Sequence, residues 1–137
     1  MSDLANFYRP QLADAKRRLF LSPEEAALYE RHLQNLWGPG GVDNPDGSRS
    51  TLFQMSQDVG GRTYNMPTVY DGKILPPDAA FARAQAEGLS RFPSYASPAQ
   101  AEQRYQQMHG QMEGDRGADT DIRRVSLLPS TLADMFR

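Results

Sequence analysis

The chain has 137 residues, which suffice for one domain of ordinary size and leave little room for a second independent core. Its 15 Lys and Arg residues against 17 Asp and Glu residues give a net charge of −2, which disfavours general binding to nucleic acid or anionic lipid. The lack of cysteine excludes disulfides, thiolate metal sites and a cysteine nucleophile.

Residues 1–37 are predicted to form two helices, which together make an N-terminal helical arm. Pro10 suits the first turn of the first helix. The apolar residues that follow at helical spacing are Leu12, Ala15, Leu19 and Phe20. A capping box, with Ser22 followed three residues later by Glu25, begins the second helix. Trp37 ends the apolar stripe of this helix, where a tryptophan is more often a packing anchor than part of a binding site.

Residues 38–50, with the sequence GPGGVDNPDGSRS, are predicted to form a linker. The segment holds four Gly, two Pro and almost nothing apolar, which is typical of a loop. We therefore place the boundary between the helical arm and the rest of the chain in this segment.

The central part of the chain has the pattern of a β-hairpin. Residues 51–59 and 62–70 are strand-like, and the two glycines between them suit a tight turn with positive φ angles. Counting outward from this turn, residue 59 faces 62, 57 faces 64, 55 faces 66 and 53 faces 68, which gathers the apolar side chains on one face. Pro67 then lies where its missing N–H points away from the partner strand, so we expect an outer edge. Asp71 and Gly72 predict a second tight turn.

Two more helices are predicted after this turn. The first covers about residues 78–87, with Phe81 and Ala84 facing inward, and the second begins at another capping pattern, Ser97–Gln100. The apolar residues of the second helix are Ala101, Tyr105, Met108 and Met112. An isolated hairpin is marginal in water, so we expect this helix to cover it. Residues 51–112 are thus the predicted core of an α+β fold, a small β-hairpin or meander packed by helices, between the helical arm and an extended C-terminal tail.

Residues 113–137 are predicted to form a flexible linker and an apolar docking tail. The stretch 113–120 is polar and contains two glycines. An apolar segment on such a tether either folds back onto its own domain or docks on another chain, and we favour docking because the spacer separates it from the core. Large apolar groups tend to dominate interface energy. The expected partner-binding residues are Trp37, Leu127, Leu128, Leu132, Met135 and Phe136.

The sequence contains no recognisable catalytic or metal-binding pattern. His32 and His109 lie outside any metal-ligand spacing, and we interpret both as surface or flanking residues. The acidic residues are scattered or serve as caps and turns, and no serine occupies a Gly-x-Ser-x-Gly elbow. The basic groups at 16–18 and 123–124 are more typical of solvated faces or salt bridges than of phosphate contacts. We therefore expect no catalytic residues, no metal and no cofactor.

Two stretches resemble a small module found in virion proteins of tailed bacteriophages. Residues 46–51 are similar to its Gly-Ser-x-Ser-Thr opening, and residues 61–73 are similar to its hairpin with an Ile-Pro-Thr-Val-x-Asp-Gly-Lys core. Met66 stands where the module has Ile. The resemblance continues through the following glycine, cap and helix, and it covers residues 46–110, about half the chain.

The resemblance implies a non-enzymatic component of a phage particle, located in the virion and, during assembly, in the host cytoplasm. Its implied partners are portal, tail or internal virion proteins, which it would bind in multiple copies within a symmetric assembly. Such modules also accompany peptidoglycan-cleaving domains, so one alternative is part of a cell-wall-degrading entry enzyme. Another is a small nucleic-acid-associated regulator that uses the basic clusters. No apolar run approaches the roughly 20 residues of a membrane span, and no secretion signal is evident, so we expect neither a span nor Sec export.

Overall fold

The computed structural model describes the backbone of residues 2–127 and the side chains of residues 4–115. Within these residues, four helices surround small antiparallel sheets, so the predicted α+β class is confirmed. The helices are α1 (Ser2–Leu19), α2 (Pro23–Trp37), α3 (Pro77–Glu87) and α4 (Pro98–Leu127), with a short 3-10 helix at Leu89–Arg91. The strands are β1 (Val42–Asp43), β2 (Arg49–Ser50), β3 (Met55–Val59), β4 (Arg62–Met66), β5 (Val69–Tyr70), β6 (Lys73–Ile74) and β7 (Ser94–Tyr95).

The predicted central hairpin is present as β3 and β4. Its turn is Gly60–Gly61, with φ angles of +58° and +83°, a region that favours glycine. The register runs from Val59 opposite Arg62 to Met55 opposite Met66, as the spacing predicts. The turn alone therefore determines which residues of the two strands face each other.

β4 is the central strand of its sheet, so the prediction of an outer edge is wrong. It pairs with β3 on one side and with β7 on the other, where Tyr64 lies opposite Ser94. Pro67 is buried immediately after β4 ends at Met66, so its missing N–H removes no hydrogen bond from the ladder. The proline marks the end of the strand instead of a free edge.

The predicted pairing of residues 53 and 68 is also wrong, because β3 starts only at Met55. The Thr68 N–H donates to the carbonyl oxygen of Leu52 at 2.8 Å, and the Thr68 hydroxyl donates to that of Phe53 at 2.6 Å. Phe53 has a φ of +44° and is 63% exposed. Its ring is therefore absent from the buried face on which we expected it.

The N-terminal helices pack into the same core as the sheet, so they do not form a separate arm. The buried core residues are Tyr8, Ala15, Leu28, Tyr29, Leu33, Leu36, Leu52, Met66, Ala84, Phe92, Met108 and Met112. Pro10 lies inside α1, not in its first turn. A proline there removes one intrahelical hydrogen bond. Leu4, Ala5 and Tyr8 pack on the core and hold the turns that precede it.

Residues 38–50 form a fixed ribbon, not the linker that we predicted. β1 and β2 pair with each other, and Arg49 ties them to the end of α2. Its Nε donates to the carbonyl oxygen of Asn35 at 2.8 Å, and its Nη2 donates to that of Gly38 at 2.5 Å. These hydrogen bonds join residues that are 14 and 11 positions apart in the chain, so the glycine-rich composition of the segment does not reveal them.

The second turn and the helices after it agree with the predictions. Asp71, with a φ of +54°, and Gly72, with a φ of +77°, join β5 to β6. In α3, Ala84 is buried and Phe81 packs against the core. α4 contacts both β3 and β4 and covers the hairpin as expected.

α4 continues through Leu127, so the predicted flexible linker from residue 113 is wrong for the described residues. The two glycines that suggested a break each cost about 1 kcal/mol in a helix relative to alanine. Asp115 is only 7% exposed and fixes this part of α4 to α1 and α2. The expected docking residues Leu128, Leu132, Met135 and Phe136 lie outside the described residues, as does the side chain of Leu127.

Candidate functional site

Trp37, predicted as a partner-binding residue, lies between α1 and α2. Its ring packs edge-on against Phe7, with ring centroids 5.0 Å apart. Its Nε1–H donates to Oε1 of Gln11 at 2.8 Å. Because both its apolar face and its N–H are used within the chain, Trp37 serves as a packing residue in this structure.

Glu25, interpreted from the sequence as a capping residue, also anchors a buried ion-pair cluster. The capping box is confirmed, because the Glu25 N–H donates to Oγ of Ser22 at 3.1 Å and the Ser22 N–H donates to Oε1 of Glu25 at 3.0 Å. Arg104 donates to the same carboxylate through Nε at 2.8 Å and Nη2 at 3.1 Å. The Tyr95 hydroxyl donates to Oε2 at 2.7 Å. The cluster therefore joins α2, β7 and α4.

The electrostatics of this cluster keep Glu25 charged. Burial by itself raises the pKa of Glu25, but hydrogen bonds from Arg104, Ser22 and Tyr95 stabilise the carboxylate and hold the pKa below its ordinary value. Burial and the hydrogen bond to Glu25 raise the pKa of Tyr95, so its hydroxyl stays protonated and remains a donor. The site is thus an ion pair whose carboxylate is bonded by Arg104, Ser22 and Tyr95.

The lowered pKa of Glu25 makes its contribution to stability dependent on pH. Because the pKa of Glu25 is lower in the folded state, the unfolded chain binds the proton first as the pH falls. The stabilisation is therefore fully present above the ordinary carboxyl pKa of about 4.3. It is lost as the pH falls from that value through the lower pKa of the folded state. We expect the difference in unfolding free energy between the native protein and Glu25→Gln to be largest at neutral pH and to shrink below about pH 4.3. Urea unfolding of both proteins across pH 2–7 measures this difference. A constant difference would contradict the prediction.

His32 is fully buried, so its interpretation as a surface residue is wrong. Its Nε2 lies 3.2 Å from Oδ2 of Asp115, and its Nδ1 lies 2.7 Å from Oγ1 of Thr51. Because a carboxylate only accepts, we place a proton on Nε2, which donates to Asp115. The Tyr29 hydroxyl donates to the same Oδ2 at 2.5 Å, and Nε2 of Gln11 donates to Oδ1 at 3.3 Å.

This buried cluster contains the hydroxyl, imidazole and carboxylate groups of a nucleophilic triad, but it lacks access. Thr51 and His32 are both 0% exposed, so a substrate does not reach the hydroxyl in this conformation. The cluster instead connects α1, α2, α4 and the segment before β3. His32 and Asp115 are 83 residues apart in the chain, and no spacing rule links them.

His109 lies on the flank of α4. It stacks on Tyr105, with ring centroids 5.3 Å apart, and its Nε2 lies 3.1 Å from a carboxylate oxygen of Glu113 one turn later. Across the residues whose side chains the structure describes, no group of three or more His, Asp or Glu is arranged to hold a metal ion. The histidines therefore supply no candidate metal centre.

Two exposed phenylalanines are the most unusual surface residues. Phe20 is 87% exposed with a φ of +52°, and Phe53 is 63% exposed with a φ of +44°. A residue with a side chain costs roughly 1–2 kcal/mol in this left-handed region, where glycine is the usual choice. Phe20 follows α1, and its N–H closes the helix by donating to the carbonyl oxygen of Lys16 at 3.0 Å. The backbone at both positions favours glycine, and neither exposed ring is buried in the core, so folding does not explain why phenylalanine is present. We therefore take the two rings as candidate contacts for another chain.

The sequence pattern did not reveal that Phe20 and Phe53 are exposed candidate contacts. Phe20 continues the apolar spacing of α1, and Phe53 belongs to the predicted apolar face of the hairpin. Only the backbone angles and the exposure distinguish them from core residues. A Phe directly after a helix, where glycine is common, is the one local signal that was available.

The residues that carry the phage-module resemblance build turns and backbone connections. Oδ1 of Asp46 accepts from the N–H of Ser48 at 2.9 Å and shapes the turn between β1 and β2. Thr68 bridges to the segment before β3, and Asp71–Gly72 forms the β5–β6 turn. These residues therefore have structural roles in this fold.

No family model, no curated protein and no solved structure matches this chain. The phage-particle role thus stays a prediction from the sequence resemblance. Along residues 2–127, none of the helices combines the length and apolarity needed to cross a bilayer.

Proposed function

We propose that this protein is a non-enzymatic structural or accessory component of a tailed-phage particle, located in the virion after assembly in the host cytoplasm. In this proposal it binds portal, tail or internal particle proteins, in multiple copies. The phage setting rests on the resemblance of residues 46–110. The binding role rests on one observation, the two exposed phenylalanine rings held at backbone angles that favour glycine.

The surroundings of Phe20 suggest the chemistry of its partner. Lys16, Arg17 and Arg18 are exposed in the last turn of α1, where the helix dipole also favours cations. Asp14 pairs with both Arg17 and Arg18, which leaves a local excess of positive charge. A complementary partner surface would therefore have an apolar pocket with carboxylates at its rim.

Particle membership is tested by mass spectrometry of purified particles from cells that encode this chain. We expect its peptides to copurify with the capsid proteins through a density gradient. We also expect a fixed ratio to the major capsid protein, because copy number follows the symmetry of the assembly. Recovery of the chain only from the soluble lysate would contradict the proposal.

Replacing the exposed rings should separate binding from stability. For Phe20→Gly and Phe53→Gly we expect an unfolding free energy that is unchanged or higher by up to about 1 kcal/mol, because relief of strain competes with the greater freedom of glycine in the unfolded chain. We expect occupancy in particles to fall, since truncating a central aromatic contact costs about 2 kcal/mol, or about 30-fold in affinity. Urea unfolding and quantitative mass spectrometry of particles measure the two effects.

Phe20→Leu is the matched control, because it keeps an apolar side chain at the same strained position. It should retain most of the occupancy and show no gain in stability. Wild-type occupancy of both glycine variants would remove the two rings from the binding role.

A further inference from the structure

The outer edge of β3 is a second candidate surface. Among the strands of residues 2–127, β3 is bonded to β4 alone and forms one end of its sheet. Its middle residues Ser56, Gln57 and Asp58 are all exposed, so the helices that pack on the hairpin leave this edge open. An open edge can pair with another strand, and folds usually block it with a proline, a lysine or a bulge. β3 contains none of these.

The register of the hairpin determines which backbone groups of β3 are free. The two-residue turn makes the pair next to it, Val59 and Arg62, a hydrogen-bonded pair, and bonded pairs then alternate with non-bonded pairs along the ladder. Gln57 therefore bonds inward to β4. The N–H and C=O groups of Ser56 and Asp58 point outward, and no backbone hydrogen bond within the described chain uses them.

The side chains of these two residues turn toward β4 and keep clear of the outer edge. The Ser56 hydroxyl donates to Oδ1 of Asn65 at 2.7 Å. Oδ1 of Asp58 accepts from the Thr63 hydroxyl at 2.8 Å. A second strand can therefore approach the edge of β3 without breaking either of these hydrogen bonds.

The edge is complementary to itself. When two copies of β3 run antiparallel with Gln57 opposite Gln57, Ser56 of each copy lies opposite Asp58 of the other. The residues with outward-pointing backbone groups then exchange N–H···O=C hydrogen bonds with each other. Asp58, the one charged residue of β3, faces a serine and not a second carboxylate, which would be destabilising. The edge thus fits a two-fold contact, in which the same surface of both copies is used.

The two ends of β3 are complementary as well. Phe53, with its exposed ring, lies just before the strand, and the Gly60–Gly61 turn follows it. Antiparallel pairing brings the Phe53 end of one copy next to the glycine turn of the other. No atom of the described chain lies within 4 Å of the position that a Cβ atom would take at either glycine, so the turn has room for a ring. Aromatic rings that cover glycines stabilise edge pairing.

We propose that the outer edge of β3 pairs with the same edge of a second copy of this chain, in a two-fold dimer centred on Gln57. The contact is small, and interfaces below about 1,200 Å² are usually weak, so we expect a dissociation constant on the order of 0.1 mM. The proposal shares Phe53 with the proposed function but does not depend on it. A chain that is absent from particles can still form this dimer, and a particle component can remain monomeric.

Opposite charges at position 57 test the two-fold axis, because this axis places each side chain opposite its own copy. The Gln57 side chain is exposed, so Gln57→Glu and Gln57→Lys should fold like the native protein. In sedimentation equilibrium up to about 1 mM, we expect each variant alone to dimerise at least about threefold more weakly than the native chain. Their equal mixture should associate at least as tightly as the native chain.

Two results of this experiment would overturn the proposal. One is a native chain that stays monomeric at about 1 mM, which would leave the edge to a different partner. The other is a mixture that associates no more tightly than the separate variants, which would place the axis elsewhere.

Solvent exchange of the backbone amides, measured by NMR at low and high protein concentration, locates the contact. We expect the amides of Ser56 and Asp58 to slow most as the concentration rises, whereas the Gln57 amide is already bonded within the hairpin. Phe53→Gly should weaken the dimer at least about threefold. Phe20→Gly is the matched control, because it removes an exposed ring from a different element, and it should leave the dimer unchanged. Slowed exchange only outside β3 would overturn the proposal.

Discussion

Arg104→Leu is expected to destabilise the protein by about 3 kcal/mol, because it leaves the Glu25 carboxylate buried without its cation. Glu25 is 5% exposed, and the Arg104 side chain is 20% exposed, so the pair is shielded from water on most sides. Arg104 also donates to the carbonyl oxygen of Leu19 at the end of α1, at 2.5 Å. Leucine keeps the apolar part of the side chain and removes both sets of hydrogen bonds. Urea unfolding followed by the fluorescence of Trp37, the single tryptophan, measures the loss.

The double variant Glu25→Gln/Arg104→Leu is the matched control for the charge. The glutamine amide has one oxygen, which can accept from the Ser22 N–H in place of Oε1, while its NH₂ group can donate to the Tyr95 hydroxyl oxygen, so no buried charge remains. We expect the double variant to be more stable than Arg104→Leu alone. A loss below about 1 kcal/mol for Arg104→Leu would show that the pair contributes little to the fold.

The parts of this fold that the sequence predicts are those determined by neighbouring residues. Gly60–Gly61 sets the hairpin register, and the Ser22 capping box starts α2, because each signal acts within a few residues. β7 is not predicted from the sequence, because it is only two residues long and pairs with a strand about 30 positions earlier in the chain. The ribbon at 38–50 is also not predicted, because it is held by bonds from Arg49 to the carbonyl oxygens of Asn35 on α2 and of Gly38 just after that helix.

The candidate contact surface is hard to predict because apolar spacing does not distinguish a core from an interface. Phe20 and Phe53 continue the apolar patterns of their segments, yet both are exposed in the structure. Trp37 also ends an apolar stripe, and in the structure its ring packs on Phe7 and its N–H bonds to Gln11. Exposure together with a positive φ separates the two cases, and both quantities require coordinates.

Asp115→Ala is expected to cost about 3–4 kcal/mol, because it removes the shared acceptor of the Tyr29 hydroxyl and the His32 ring and leaves both buried donors without it. Asp115→Asn keeps a side-chain oxygen at this position and should cost about half as much. Because Asp115 ties α4 to α1 and α2, the alanine variant should also increase hydrogen exchange of the α4 amides near residue 115 more than that of the β3–β4 hairpin. A cost below about 1 kcal/mol with unchanged exchange would show that the packing of Met108 and Met112 alone holds the helix in place.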